Sequence, residues 1–265
     1  MLPARKSLRT RSMMLALALA ASTGAAHAAP CAFESLGDGH VAEVIDGKSF
    51  RLSDGREIRL AGIEPALPEA KEDAKADRAA ALTAIIAGKD VTLRGEDDAP
   101  DRYGRQHAFV FLAPADTLVQ GLLLSEGAAV ASAEITDKTC ADALMAAEAE
   151  ARTAKRGTWA GTSVIKNAES ADDILTGIGR FVLVEGKVLS VRQAGAMTYL
   201  NFGRSWTRDF AATISRRNMP ALESAGVAVK SLENQRIRVR GWVEGHPGPR
   251  IEVIRAGQIE VLGGR

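Results

Sequence analysis

Arg59, Glu64 and Arg105 are the residues whose types and spacing could do phosphate chemistry. The first two lie in Arg56-Glu-Ile-Arg-Leu-Ala-Gly-Ile-Glu64, a strand whose charged end feeds a Pro-rich loop. Arg105 closes the turn Asp101-Arg-Tyr-Gly-Arg105 further along the chain. A guanidinium fork matches phosphate oxygens two at a time, so two such forks beside one carboxylate make a pocket for a phosphodiester. Arg102 and Tyr103, at the tip of the same turn, could touch a nucleotide, or Tyr103 could pack on the fold. Asp46 and Asp101 are turn formers that could stand behind the arginines.

The elements that must position these groups follow in order. Val41–Ile45 alternates, Asp46-Gly47 turns, Phe50–Leu52 returns, Asp54-Gly55 turns again, and Arg56–Ile63 completes three short strands. An Ala-rich helix is expected from Glu69 to Ala87, stopped by Gly88. Strands Val91–Arg94 and Ala108–Leu112 flank the arginine turn. A helix over Leu118–Ser125, capped by Thr117, and another over Ala141–Arg156 follow, with Trp159 folding back on the core. This order is that of a five-stranded OB-type barrel closed by helices. Residues 160–175 are polar and aperiodic and read as a linker. Beyond it come strands Phe181–Val191, Thr198–Phe202, Phe210–Ile214, Arg236–Val243, Arg250–Ile254 and Gln258–Leu262, with a short helix over Asn218–Ala225. They suggest a second OB-like barrel. The fold expected is therefore α+β, mainly β: two OB-fold-type five-stranded barrels over residues 29–162 and 177–265, joined by 163–176. Arg236, Arg238 and Arg240 make a basic stripe on one strand face, open to nucleic acid or simply to solvent. Tyr199, Phe202 and Trp206 are either stacking residues or core.

The first thirty residues read as an export signal. Arg5, Lys6, Arg9 and Arg11 precede the apolar run Met13–Ala21, and Ala26-His-Ala28 is an A-x-A site, so cleavage is expected at about Ala28/Ala29. That places the mature chain in the periplasm or outside the cell, with no membrane-spanning segment. Without residues 1–28 the chain carries 30 Lys+Arg against 33 Asp+Glu. The split is uneven: residues 29–165 hold 15 basic and 23 acidic groups, residues 166–265 hold 15 and 10. An acidic first module is a poor non-specific polyanion binder, since such affinity comes from neutralised phosphates. Two cysteines, Cys31 and Cys140, in an oxidising compartment read as one disulfide.

Asp46-Gly-Lys-Ser49, Arg59-Leu-Ala-Gly-Ile-Glu64 and Asp101-Arg-Tyr-Gly-Arg105 together resemble the staphylococcal nuclease (thermonuclease) family, over roughly residues 40–159. The resemblance implies the five-stranded barrel and phosphodiester hydrolysis with one calcium, two Asp ligands, a Glu general base and two clamping arginines. By position Arg59 and Arg105 take the arginine roles, and Glu64 the second ligand, one methylene longer, which a calcium shell could accept. Lys48 stands at the first ligand position, where an ammonium cannot ligate a metal. Leu67 stands at the general-base position; two extra loop residues would bring Pro68-Glu69 into register, with Glu69 then either the base or a first-turn helix residue favoured by the macrodipole.

The departures fall on the calcium-binding, water-activating half of the site. The expectation is an exported pseudoenzyme without a cofactor that holds nucleic acid or another anionic partner. The alternatives are an active nuclease in which Ca²⁺ is used differently, through Glu64 and Glu69, and an envelope adaptor whose acidic and basic modules hold each other. In the first case Lys48 is expected to pair with Glu64 or Asp46 and replace the metal electrostatically.

Overall fold

A computed structural model describes residues 31–65, 74–161, 164–245 and 247–263. The expected signal segment and cleavage site, and Glu69, lie outside these residues. The first module runs β1 (Glu34–Asp46), β2 (Ser49–Leu52), β3 (Glu57–Leu60), β4 (Ile63–Pro65), α1 (Ala74–Ile86), β5 (Asp90–Gly95), β6 (Arg105–Leu112), β7 (Thr117–Leu118), α2 (Val119–Ser125), β8 (Ala129–Ala131) and α3 (Lys138–Thr153). Strands β3, β2, β1, β5 and β6 pair in that order, and the parallel pairing of β3 with β6 closes the ring into a five-stranded barrel. Phe50, Leu52, Ile58, Leu60, Val91, Leu93 and Val110 fill it, drawn from the inward positions of alternating strands. Gln120 is buried at the start of α2 and ties β6 to the bend after β3: its amide donates to the Ala61 and Ala108 carbonyls, and its oxygen accepts the Val110 N–H. α3 starts at Asp137, whose carboxylate accepts the Cys140 N–H at 2.7 Å, and Cys140 is joined to Cys31.

Several expectations are corrected here. The first strand begins at Glu34, not Val41, because its early half pairs with β5 although Gly37 and Gly39 break the alternation. Thr117 does not cap α2; the cap residue is Leu118, without a side-chain bond, and Thr117 pairs in β7. The stretch read as a linker, 163–176, contains β9 (Ile165–Asn167) and α4 (Ala171–Leu175), and β9 runs parallel to the next strand. A three-residue strand has too little sequence to show a period; its tertiary partner makes it a strand.

After α4 come β10 (Phe181–Lys187), β11 (Ser190–Ala194), β12 (Met197–Asn201), β13 (Ala211–Ser215), α5 (Met219–Ser224), β14 (Arg236–Gly245), β15 (Pro249–Glu252) and β16 (Ile259–Val261). The long strand expected over Phe181–Val191 is divided at Val188–Leu189, where the chain leaves β14 and joins β12. These strands pair as β11-β12-β13-β15-β14-β10-β9, with β16 on β14. Among the described residues the pairings trace a path of strands over a core of Leu200, Ile214, Val239 and Ile251. No helix among the described residues is long and apolar enough to cross a membrane.

The two modules share a small core. Val130, Ala151 and Trp159 of the first pack with Phe181 and Leu183 of the second. Trp159 thus folds back as expected, onto a surface that both modules build.

Candidate phosphate-binding cleft

Gly62 determines where Glu64 goes. Its φ of +76° suits glycine, and a Cβ there would lie within 3.0 Å of Ile135 and Leu144 side-chain carbons. The kink turns β3 into β4, which pairs with β8 and sets Glu64 opposite Val130. From the other side the β1–β2 turn delivers Lys48, whose backbone N–H donates to Asp46 Oδ1 at 2.9 Å. The Lys48 ammonium donates to Glu64, and the lysine is only 5% exposed. Burial pushes the Lys48 ammonium below its ordinary pKa, with Glu64 opposing that and the nearby Arg59 adding to it.

The pairing expected of Lys48 is therefore with Glu64 in charge and with Asp46 through the backbone. The family resemblance implies calcium at this point, and the residues do not fit it. The ammonium occupies the Glu64 carboxylate, one Asp46 oxygen is taken by an N–H, and no cluster of three His, Cys, Asp or Glu ligands occurs among the described residues.

Arg59 lies on β3 between Ser49 of β2 and His107 of β6. Its guanidinium makes no ion pair among the described residues. It lines two adjoining hollows, about 580 Å³ and 310 Å³, which also share Lys48, Glu64 and Trp242. Arg105 is placed differently. Asp101 holds its fork, with Nε and Nη2 donating to Oδ2 at 3.0 and 2.7 Å, while Asp101 Oδ1 accepts the Tyr103 and Arg105 backbone N–H groups. The Arg105 guanidinium holds the Asp101 carboxyl well below the usual carboxylate range, and Asp101 raises Arg105 in turn. Arg105 thus lies on β6 opposite Glu57, two positions before the partner of Arg59, and its fork is engaged by Asp101, a wall of the larger hollow. Tyr103 is 66% exposed and stacks between Arg102 and Arg105, with guanidinium carbons 4.8 and 4.9 Å from its ring centre.

The expected basic stripe is corrected most. Arg238 donates to Glu185 and Glu260, and Arg236 lies 3.6 Å from Glu185. Arg240 is buried against Glu148 of α3. A solvent-facing phosphate track needs free forks, and those of Arg238 and Arg240 are spent on carboxylates of the protein itself, which leaves the exposed Arg236 alone. The alternating Arg-x-Arg-x-Arg pattern identified the face; it carried no sign of which acids would meet it.

Sequence reasoning missed three participants. Glu134 lines the larger hollow near Glu64, and burial together with the Glu64 charge raises its pKa, against Lys48 and Arg255. Arg180 and Trp242 come from the second module and wall the smaller hollow. Trp242 had a signal, its outward place in the alternation of β14; Glu134 and Arg180 had none. The larger hollow is lined by Glu64, Glu96, Asp97, Asp101 and Glu134 against Lys48 and Arg59, so its wall is acidic.

A closed five-stranded barrel with its arginine strand and helical cap defines a thermonuclease-like domain. Residues 57–161 match the family described as staphylococcal nuclease homologue. No curated protein matches the chain.

Proposed function

We propose that this is an exported thermonuclease-like protein with a degenerate calcium site, which holds nucleic acid or another phosphate-bearing partner without efficient hydrolysis. The observation that carries the reading is the Lys48 ammonium on Glu64. It fills the metal position with a tethered monovalent cation that has no open coordination site for water. Metal-activated water and Lewis-acid polarisation of a phosphoryl oxygen are each worth several kcal/mol of transition-state stabilisation (order of magnitude), and Lys48 supplies neither. Arg59, which makes no ion pair among the described residues, lines both hollows, and Arg180 lines the smaller with it. The joined cysteines support export. Calorimetric titration of calcium into the mature chain is expected to give no saturable heat up to millimolar calcium; a stoichiometric site would defeat the reading.

A second reading, an active phosphodiesterase with altered metal use, is favoured by Glu134. A carboxyl raised in pKa beside the cleft is a natural general base. Under that reading Glu134→Gln abolishes cleavage of single-stranded DNA and RNA, whereas under the first there is no metal-dependent cleavage to abolish.

A further inference from the structure

The second module has its own cleft, about 780 Å³, on the face of its sheet opposite the core. Across that face Arg192 of β11 sits directly opposite Tyr199 of β12, and Tyr199 opposite Thr213 of β13. Ala211 of β13 lies beside Arg250 of β15, which completes a second row. The opposite faces of the same strands carry Leu200, Ile214 and Ile251, buried in the core. Period-two alternation therefore turns Tyr199 and the arginines outward together.

The loop after β12 overhangs this face and carries Trp206, 75% exposed. The loop is tied: Ser205 N–H donates to Asp209 Oδ2 at 2.7 Å, and the Arg208 and Asp209 N–H groups donate to the Ser205 carbonyl. A Cβ at Gly203 would fall 2.1–2.3 Å from Asp209 atoms, so the loop closes tightly on itself. Gly248 of the β14–β15 turn packs against the same loop, where an added Cβ would lie 3.1–3.3 Å from the Arg208 and Asp209 backbone. Trp206 is thus presented to solvent by a built support.

Charge points the same way. The residues 166–265 carry 15 basic and 10 acidic groups, and of these Arg238 and Arg240 are taken up by carboxylates. Arg192, Arg204 and Arg250 line this cleft and make no ion pair among the described residues, and its one acidic wall residue, Asp209, holds the loop. An outward ring in a row with arginines, a second ring overhanging it, and unpaired guanidiniums around both are what a single strand needs. Every base has a face to stack, and the backbone runs past positive charge.

We propose that this cleft binds single-stranded nucleic acid, with bases stacked on Tyr199 and Trp206 and phosphates beside Arg192, Arg204 and Arg250. The proposal rests on the reading that the protein holds nucleic acid and places the strand on the second module. Duplex DNA, whose bases are already stacked, is bound more weakly.

The test is fluorescence anisotropy with a labelled 15-nucleotide oligothymidylate and the mature full-length chain. Tyr199→Ala with Trp206→Ala weakens binding at least about 10-fold, since each stacked base contributes at that scale. Trp206→Phe, which keeps a ring, retains most of the affinity. Arg192→Glu with Arg250→Glu weakens binding and lowers the slope of log K on log salt by about 0.7 for each phosphate no longer neutralised. Circular dichroism shows that the variants stay folded. If the aromatic double variant binds like the wild type, or duplex binds as tightly as the single strand, the cleft is not this site. If binding survives those changes but is lost in Arg59→Ala, the inference fails while the proposed function stands. If no variant and no wild type binds the oligonucleotide, both fail.

Discussion

Arg240 and Glu148 form a two-bond ion pair between the modules, Nη1 to Oε2 at 2.8 Å and Nη2 to Oε1 at 3.0 Å, with 1% and 0% of their side chains exposed. The pair has further partners: Glu148 Oε2 accepts the Ala131 N–H at 2.7 Å, and Arg240 Nη1 donates to the Ala131 carbonyl at 2.9 Å. Ala131 pairs with Ile63 in the strand that carries Glu64. The second module therefore braces the strand that carries Glu64, the partner of Lys48.

Breaking this contact from one side leaves a buried charge without its counter-ion. Arg240→Ala and Glu148→Ala should each destabilise the fold by about 3–5 kcal/mol, read as a lowered midpoint in urea. Arg240→Met with Glu148→Leu should recover part of the loss, though not all, because the Ala131 N–H and carbonyl stay unpartnered.

The cysteine link closes a loop of 109 residues. Cys31→Ser with Cys140→Ser should lower stability by roughly 2–5 kcal/mol, the range expected for so long a loop. Equilibrium unfolding of the variant and of the reduced wild type should agree.

Two carboxyls should drive stability in opposite directions with pH. Asp101 has its pKa lowered from 3.8, chiefly by its bond to Arg105, so the unfolded chain takes up that proton first on acidification. Its contribution is complete above about pH 4 and fades as pH falls towards the lower folded value. Asp101→Asn should remove that part of the acid limb. Glu134 has its pKa raised from 4.5 by burial, so the folded chain holds the proton longer, and stability falls as pH rises from 4.5 through the folded value. Glu134→Gln should flatten that decline and melt above the wild type at pH 7, as differential scanning calorimetry would show.

Lys48→Asp replaces the ammonium with the acid that the family places there. With Glu64 and Asp46 nearby it should create a calcium site, so that calcium raises the melting temperature of the variant and leaves the wild type unmoved. In the absence of calcium the variant should be less stable than the wild type, because the new carboxylate would stand buried beside Glu64 with no cation between them.

The barrel was legible because its signals are local. Two Asp-Gly turns, alternating strands and the Asp101–Arg105 turn each fix their own geometry, and Lys48 at a ligand position foretold its pairing with Glu64. What could not be read depends on partners far along the chain. Asp101, expected to shape a turn and to stand behind the arginines, takes both Nε and Nη2 of Arg105 and itself lines the larger hollow. Arg236, Arg238 and Arg240 showed the right period for an exposed stripe, but their partners Glu185, Glu260 and Glu148 sit on three other elements. The three-residue β9 had no period to show and is ordered by its pairing with β10 and the Lys166 bond to Asp173 of α4.

The central claim, that Lys48 on Glu64 has replaced metal-driven hydrolysis, is tested most directly by incubating purified residues 29–265 with single-stranded DNA and RNA, with calcium and with chelator. The account predicts that the polynucleotides stay intact equally in both. Calcium-dependent cleavage that is abolished by Arg59→Ala would contradict it.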